Sequence, residues 1–194
     1  MTTATVASMA VVFTVGHSSR PLDELLLMLT EAGVEVLADI RRFPGSRRHP
    51  HFGQEVLAAA LAEVGIDYQW FRELGGRRGS TVPRASSANR GFEVEAFRHY
   101  ADALATPELE AGLVRLESLA RERRTVLLCA EKLFWQCHRR IVSDVLVARG
   151  WQVEHLIDPG VNRAHALTSF AHVENGRVTY PPSPGPSVDD PSLR

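Results

Sequence analysis

Short apolar runs alternate along this chain with stripes of Leu, Val and Ala at helical spacing, and that alternation is the strongest constraint on its fold. Runs at residues 11–15, 34–40, 66–71, 125–129 and 153–157 read as buried strands. Between them Leu22, Leu25, Leu26 and Leu29, then Leu57, Ala60, Leu61 and Val64, recur with the period of one helix face. Phe97, Tyr100, Ala101 and Leu104 mark a third helix, Leu109, Leu113, Leu116 and Leu119 a fourth, and Ile141, Val142, Val145 and Leu146 a fifth. Pro21 with Asp23 and Glu24 suits a helix start, Thr106 before Pro107 is a capping pair, and Gly33, Gly65 and Gly150 suit helix stops. Strands alternating with helices build a mostly parallel sheet covered on both faces. The expectation is therefore one α/β domain over residues 11–180, with a mostly parallel five-stranded sheet and helices on both faces. Asn175-Gly176 predicts a C-terminal hairpin, and the Pro/Ser-rich residues 181–194 a disordered tail.

Composition narrows the function classes. The chain has 194 residues, of which 44% are hydrophobic and 23% charged, the balance of a globular protein with a sizeable core. No apolar run approaches the roughly 20 residues of a membrane helix, so no membrane partner is expected. Residues 1–10 carry no Lys or Arg ahead of their small-residue stretch, which argues against a secretory signal. Cys129 and Cys137, the two cysteines, build no disulfide framework, and a cytoplasmic address is expected. A net charge of −1 predicts no whole-molecule attraction to nucleic acid. Residues 41–90, however, hold 9 Arg against 4 acidic side chains, a local +5 set against −6 elsewhere.

In open α/β sheets ligands bind beyond the carboxyl ends of the strands. Polar and reactive residue types collect in those segments here. His17 follows the first strand and precedes a helix start, a place that favours anions. Asp39 ends the second strand beside Arg41, and Arg41, Arg42, Arg47 and Arg48 crowd the loop that follows, with His49 and His51 just beyond. Arginine offers a flat fork of donors suited to phosphate. Glu73, Arg77 and Arg78 follow the third strand in an irregular segment running to Arg90. Cys129, Glu131, Cys137, His138 and Arg139 follow the fourth, where a thiol near a helix start is biased toward thiolate. The cysteine-phosphatase loop needs Arg six residues after its Cys, and those positions are Trp135 and Ser143, which excludes that mechanism. Neither a dinucleotide fingerprint nor a nucleotide P-loop occurs. Trp135 and Trp151 read as core.

Four of these segments form an ordered set. Thr14-Val15-Gly16-His17-Ser18, Asp39-Ile40-Arg41 with Phe43-Pro44 and Ser46-Arg47-Arg48, Glu73-Leu74-Gly75-Gly76-Arg77, and Cys129-Ala130-Glu131-Lys132 followed by Cys137-His138-Arg139 together resemble the signature of the domain of unknown function 488 family, over about residues 12–158. The resemblance implies a compact α/β domain of a widespread, mainly prokaryotic and uncharacterised family, and carries no reaction with it. The spacer Leu133-Phe134-Trp135-Gln136 is more apolar than the acidic or Pro-containing one expected there.

The reading of the residues is an enzyme, of hydrolase or transferase type, acting on a phosphate-bearing small molecule or nucleic acid. His17, Glu131, Cys137 and His138 are its expected catalytic group. Asp39, Arg41, Arg47, Arg48, Glu73, Arg77 and Arg139 are expected to bind substrate. A composite soft-metal site from His17, Cys129, Cys137 and His138 needs side chains of two loops to meet, so no metal or other cofactor is assigned. A non-catalytic nucleic-acid-binding module and a thiol or metal sensor are the alternatives. The oligomeric state is not legible.

Overall fold

The computed structural model describes residues 11–45 and 49–182. Each of the five expected strands forms: β1 (Val11–Gly16), β2 (Val36–Asp39), β3 (Asp67–Trp70), β4 (Thr125–Cys129) and β5 (Gln152–Asp158). They stand in the order β3-β2-β4-β1-β5, parallel to one another. The helices are α1 (Leu22–Glu31), α2 (Gln54–Glu63), α3 (Glu95–Ala103), α4 (Pro107–Glu122) and α5 (Arg139–Ala148). Thr106 caps α4 by accepting the Leu109 amide, with Pro107 in the first turn, where a missing N–H costs nothing.

One strand was not foreseen. β6 (Val161–Ala164) folds back antiparallel on β5, so the sheet has six strands rather than five. Its four residues are all exposed, so no apolar pattern announces it. The hairpin stands as expected, with β7 (His172–Glu174) and β8 (Arg177–Thr179) joined through Asn175 and Gly176. Both turn residues are left-handed, at φ 49° and 75°, which Asn and Gly tolerate best. The tail expected from residue 181 lies, from 183 on, outside the described residues.

Alternation along the strands divides the core into two layers. Phe13, Val15, Leu37 and Leu128 face Leu25 and Leu29 of α1 and Leu57 and Leu61 of α2. Val12, Ala38 and Leu127 face the opposite layer, built from Tyr100, Leu113, Leu116, Ile141 and Val142 on α3, α4 and α5. Burying each large aliphatic side chain contributes about 2 kcal/mol. More important for function is the split between the layers. The chain leaves β1 for α1 on one face and leaves β4 for α5 on the other. The crevice opens where neighbouring strands diverge in this way.

Candidate active site

The ends of β1 and β4 are locked together before they diverge. The His17 amide donates to the Cys129 carbonyl at 3.0 Å and the Ser18 amide to that of Ala130 at 2.8 Å. Gly16 allows this approach, since a Cβ there would overlap the Glu131 carbonyl. Beyond the junction lies a cavity of about 780 Å³, lined among others by His17, Arg41, Arg42, Arg77, Cys129 and His138. Ser18 and Arg77, two of the three described non-glycine residues with positive φ, are both in its wall (48° and 54°). Left-handed backbone at such residues is sparsely populated and clusters at functional sites.

One wall is built on Asp39. This carboxylate is fully buried at the end of β2 and accepts from Arg41 Nε at 2.8 Å, Arg41 Nη2 at 2.5 Å and Tyr68 Oη at 2.7 Å. Burial works against the charge of Arg41, and Asp39 more than offsets it, so the guanidinium pKa is raised. Arg41 Nη1 donates to the Phe52 carbonyl at 2.8 Å and lies 3.4 Å from His17 Nε2. His17 Nδ1 donates to the Ser18 carbonyl at 2.9 Å, which leaves the lone pair of the neutral ring on Nε2. Burial pushes the pKa of His17 down to about 4, with Arg41 adding to the shift and the Ser18 bond opposing it. His17 is thus a neutral acceptor near pH 7. Asp39 positions Arg41 and does not itself reach the cavity.

The floor is sulfur and imidazole. His138, the residue before α5, donates from Nε2 to the Ile40 carbonyl at 3.1 Å. A carbonyl only accepts, so the Nδ1 of a neutral ring carries the lone pair. That atom lies 3.7 Å from Cys129 Sγ and 3.5 Å from Cys137 Sγ. The Arg139 amide donates to Cys137 Sγ at 3.4 Å. The hydrogen bond from Cys137 holds the Cys129 thiol well below the ordinary range against the cost of its burial, with His138 and Arg139 adding. Burial and the same partner push Cys137 up. Of the two thiols, Cys129 is thus the one biased toward thiolate and Cys137 the one biased toward thiol. Two further residues frame this floor. Tyr100 packs against His138 with the rings tilted and their centroids 4.9 Å apart, and Gly76 lies so close that a Cβ would come within 2.7 Å of Nδ1.

The remaining expected site residues scatter. Glu131 and Arg77 are exposed in the cavity wall, and Arg77 has no hydrogen-bonding or ionic partner among the described residues. Arg139 was expected to touch substrate; it is fully buried beneath the floor and donates from Nη2 to the Glu131 and Lys132 carbonyls at 3.1 and 3.0 Å. The first turn of α5 rotates it inward, and its Nε and Nη1 find no acceptor. Glu73 turns away from the cavity and pairs with Arg115. Arg47 and Arg48 lie outside the described residues. Arg42, not among the expected binders, lines the cavity half-exposed, 3.7 Å from Glu108. The apolar spacer also finds its reason: Phe134 is buried and stacks on His155 at 3.6 Å, while Trp135 is 40% exposed, outside the core expected for it. Trp151 is buried as expected and donates to Glu117 at 3.0 Å. The Gly75-Gly76 pair and the strand-end His and Cys types were visible in the sequence, but the convergence of Tyr100 and the Ile40 carbonyl on His138 had no local signal.

No helix among the described residues is long and apolar enough to cross a membrane. No curated protein and no solved structure matches this chain. A family profile does match it over residues 21–146, a stretch that begins after His17 and takes in Asp39, Arg41, Gly76, Cys129, Cys137 and His138. That stretch is well over half of the chain, which belongs to the family described as Domain of unknown function DUF488.

Proposed function

We propose that the protein is an enzyme acting on a phosphate-bearing substrate, a nucleotide or a nucleic-acid end, in the strand-end cavity. The observation that carries this reading is the composition of one wall set: Arg41, Arg42 and Arg77 against the single carboxylate of Glu131, around a floor of two thiols and His138. Three guanidinium groups in one hollow favour an anion, and a flat fork favours phosphate oxygens. Arg77, exposed and without a partner among the described residues, and Arg42, held by long contacts to Glu108 and the Arg72 carbonyl, are the arms to take it. Arg41 has most of its donors committed to Asp39 and Phe52 and supplies fixed charge. His17, neutral and with its Nε2 lone pair toward Arg41, holds that guanidinium in the cavity wall. A pure binding surface has no use for a thiol pair and imidazole beneath its arginines.

The test is a panel of nucleoside mono-, di- and triphosphates and short single-stranded oligonucleotides, followed by phosphate release and product mass. Turnover of at least one member is expected. The double variant Arg42→Ala with Arg77→Ala should raise KM roughly tenfold or more, as loss of charge-assisted contacts does. Salt-dependent binding without turnover of any member would replace this reading by that of a non-catalytic nucleic-acid-binding module. Absence of binding at low salt would remove both.

A further inference from the structure

We propose that Cys129, Cys137 and His138 form a three-ligand site for one thiophilic divalent cation of the zinc class, with its fourth position open to the cavity. The three donor atoms all lie within 4.8 Å of one another. A tetrahedral ion with Zn–S of about 2.3 Å and Zn–N of about 2.0–2.1 Å sets N and S donors about 3.5 to 3.6 Å apart. The observed separations of Nδ1 from the two sulfurs, 3.7 and 3.5 Å, match that edge length. His17 stands outside the group, so the four-ligand composite weighed from the sequence reduces to three.

Simple S–H···N bonding explains this geometry less well. With the Cys137 thiol turned to Cys129, neither sulfur has a proton left for Nδ1, yet that atom stands 3.7 and 3.5 Å from the two of them. The opposite side of the ring carries the second mark of a ligand. Nε2 donates to the Ile40 carbonyl at 3.1 Å, the outer partner that fixes tautomer and ring orientation in metal-bound histidines. Beneath the sulfurs lies Arg139, wholly buried, with Nε and Nη1 lacking acceptors. A buried guanidinium with spare donors places positive charge beneath the two sulfurs, on the side away from the cavity. Two thiolates and a divalent ion sum to zero, and the guanidinium then leaves a positive local field that favours an anion at the open fourth position. Both thiols and His138 border the cavity that Arg42 and Arg77 also line. Three protein ligands plus one exchangeable position is the arrangement of catalytic rather than structural zinc. Loading is a ligand exchange without redox change: two S–metal bonds and one N–metal bond form, the metal–water bonds of the incoming aqua ion that they replace break, and the thiol protons leave to solvent.

The whole chain, reduced and freed of metal anaerobically, is titrated with Co²⁺ and then Zn²⁺. One equivalent of Co²⁺ should produce sulfur-to-metal charge-transfer absorption, and one equivalent of Zn²⁺ should abolish it. X-ray absorption of the zinc-loaded wild type should count two sulfur neighbours and an imidazole nitrogen. Cys137→Ser and His138→Gln should each weaken Zn²⁺ binding at least roughly tenfold, whereas His172→Gln, in the hairpin, should leave it unchanged. The absorption count on wild type stands even where a variant fails to fold. No charge transfer at one equivalent, a sulfur count of zero or four, or affinity indifferent to Cys137 and His138 would each overturn the proposal. The readouts involve the metal alone, so they are separate from the turnover of any phosphate-bearing compound.

Discussion

Two histidine clusters border helix α5, and they are completed in opposite ways. On its buried side Asp144 accepts from His165 Nε2 at 3.0 Å, from the amide and hydroxyl of Thr168 at 2.8 and 2.7 Å, and from Tyr180 Oη at 2.8 Å. His165 Nδ1 then accepts from His155 Nε2 at 2.9 Å, and His155 Nδ1 from Thr14 Oγ1 at 2.6 Å. One assignment of protons satisfies every ring nitrogen. At the N-terminal end of the same helix, His138 Nδ1 faces two sulfurs with one lone pair, and Arg139 keeps donors without acceptors. Both clusters are polar and buried, so burial alone does not separate structure from function. What separates them is completeness. A closed network holds strand to helix, and an open one beside a cavity has valences left for something that enters.

The sharpest way to break the comparison is to open the closed cluster. Asp144→Ala strands His165, Thr168 and Tyr180 donors in the core, and each buried donor left without its acceptor costs about 1–3 kcal/mol. A loss of about 4 kcal/mol in denaturant unfolding is expected, with Zn²⁺ affinity of the folded fraction unchanged. A loss under about 1 kcal/mol, or a matching loss of metal affinity, would dissolve the distinction drawn between the clusters.

How much of this was legible depends on the range of the signal. The strands and helices were, because apolar period is local to each element. β6 was not: Val161 to Ala164 have no buried side, and their place is set by a neighbour's backbone. The residue types of the cavity were legible at strand ends, but not which way each side chain turns. Asp39 and Arg139 were read as binders, and both side chains turn inward and are fully buried, an orientation that the local sequence does not announce. The relay from Thr14 through His155 and His165 to Asp144 joins separate segments at long sequence separation and leaves no motif.

Acid titration sharpens the same contrast with a smaller effect. Burial pushes His155 down to about 2, with neighbouring His165, Arg139 and Arg163 all lowering it further. Asp144, beyond His165, is the acceptor that ends the relay. Because the folded value lies below the unfolded one, the unfolded chain takes up the proton first as pH falls. Stability from this group is complete above about pH 6.5 and is lost steadily below it, by roughly 1.4 kcal/mol per pH unit. Between pH 6.5 and 5 the wild type should lose roughly 2 kcal/mol more than His155→Gln, measured by urea unfolding at each pH. Parallel pH profiles for the two proteins would show that His155 is not held neutral by the fold.

The smallest expected change in stability tests the open cluster instead. An Ala Cβ at position 76 would stand 2.7 Å from His138 Nδ1 and 3.1 Å from Cε1 and Cγ, closer than a methyl group can rest against a ring. The backbone at Gly76 is not left-handed, so the cost of Gly76→Ala is contact and not conformation. The ring has little room to yield, with Tyr100 packed against it at 4.9 Å and the Ile40 carbonyl fixing Nε2. Overpacking of this kind costs about 1 kcal/mol in unfolding free energy, since one edge of a ring at a cavity must shift by a few tenths of an ångström. The same shift falls on the one nitrogen whose position sets the N···S edges, where geometry is least forgiving. Zn²⁺ binding by Gly76→Ala should therefore fall by tenfold or more while the melting curve barely moves, and a variant that binds Zn²⁺ as tightly as the wild type would mean that the Gly75-Gly76 loop serves packing and not the open cluster.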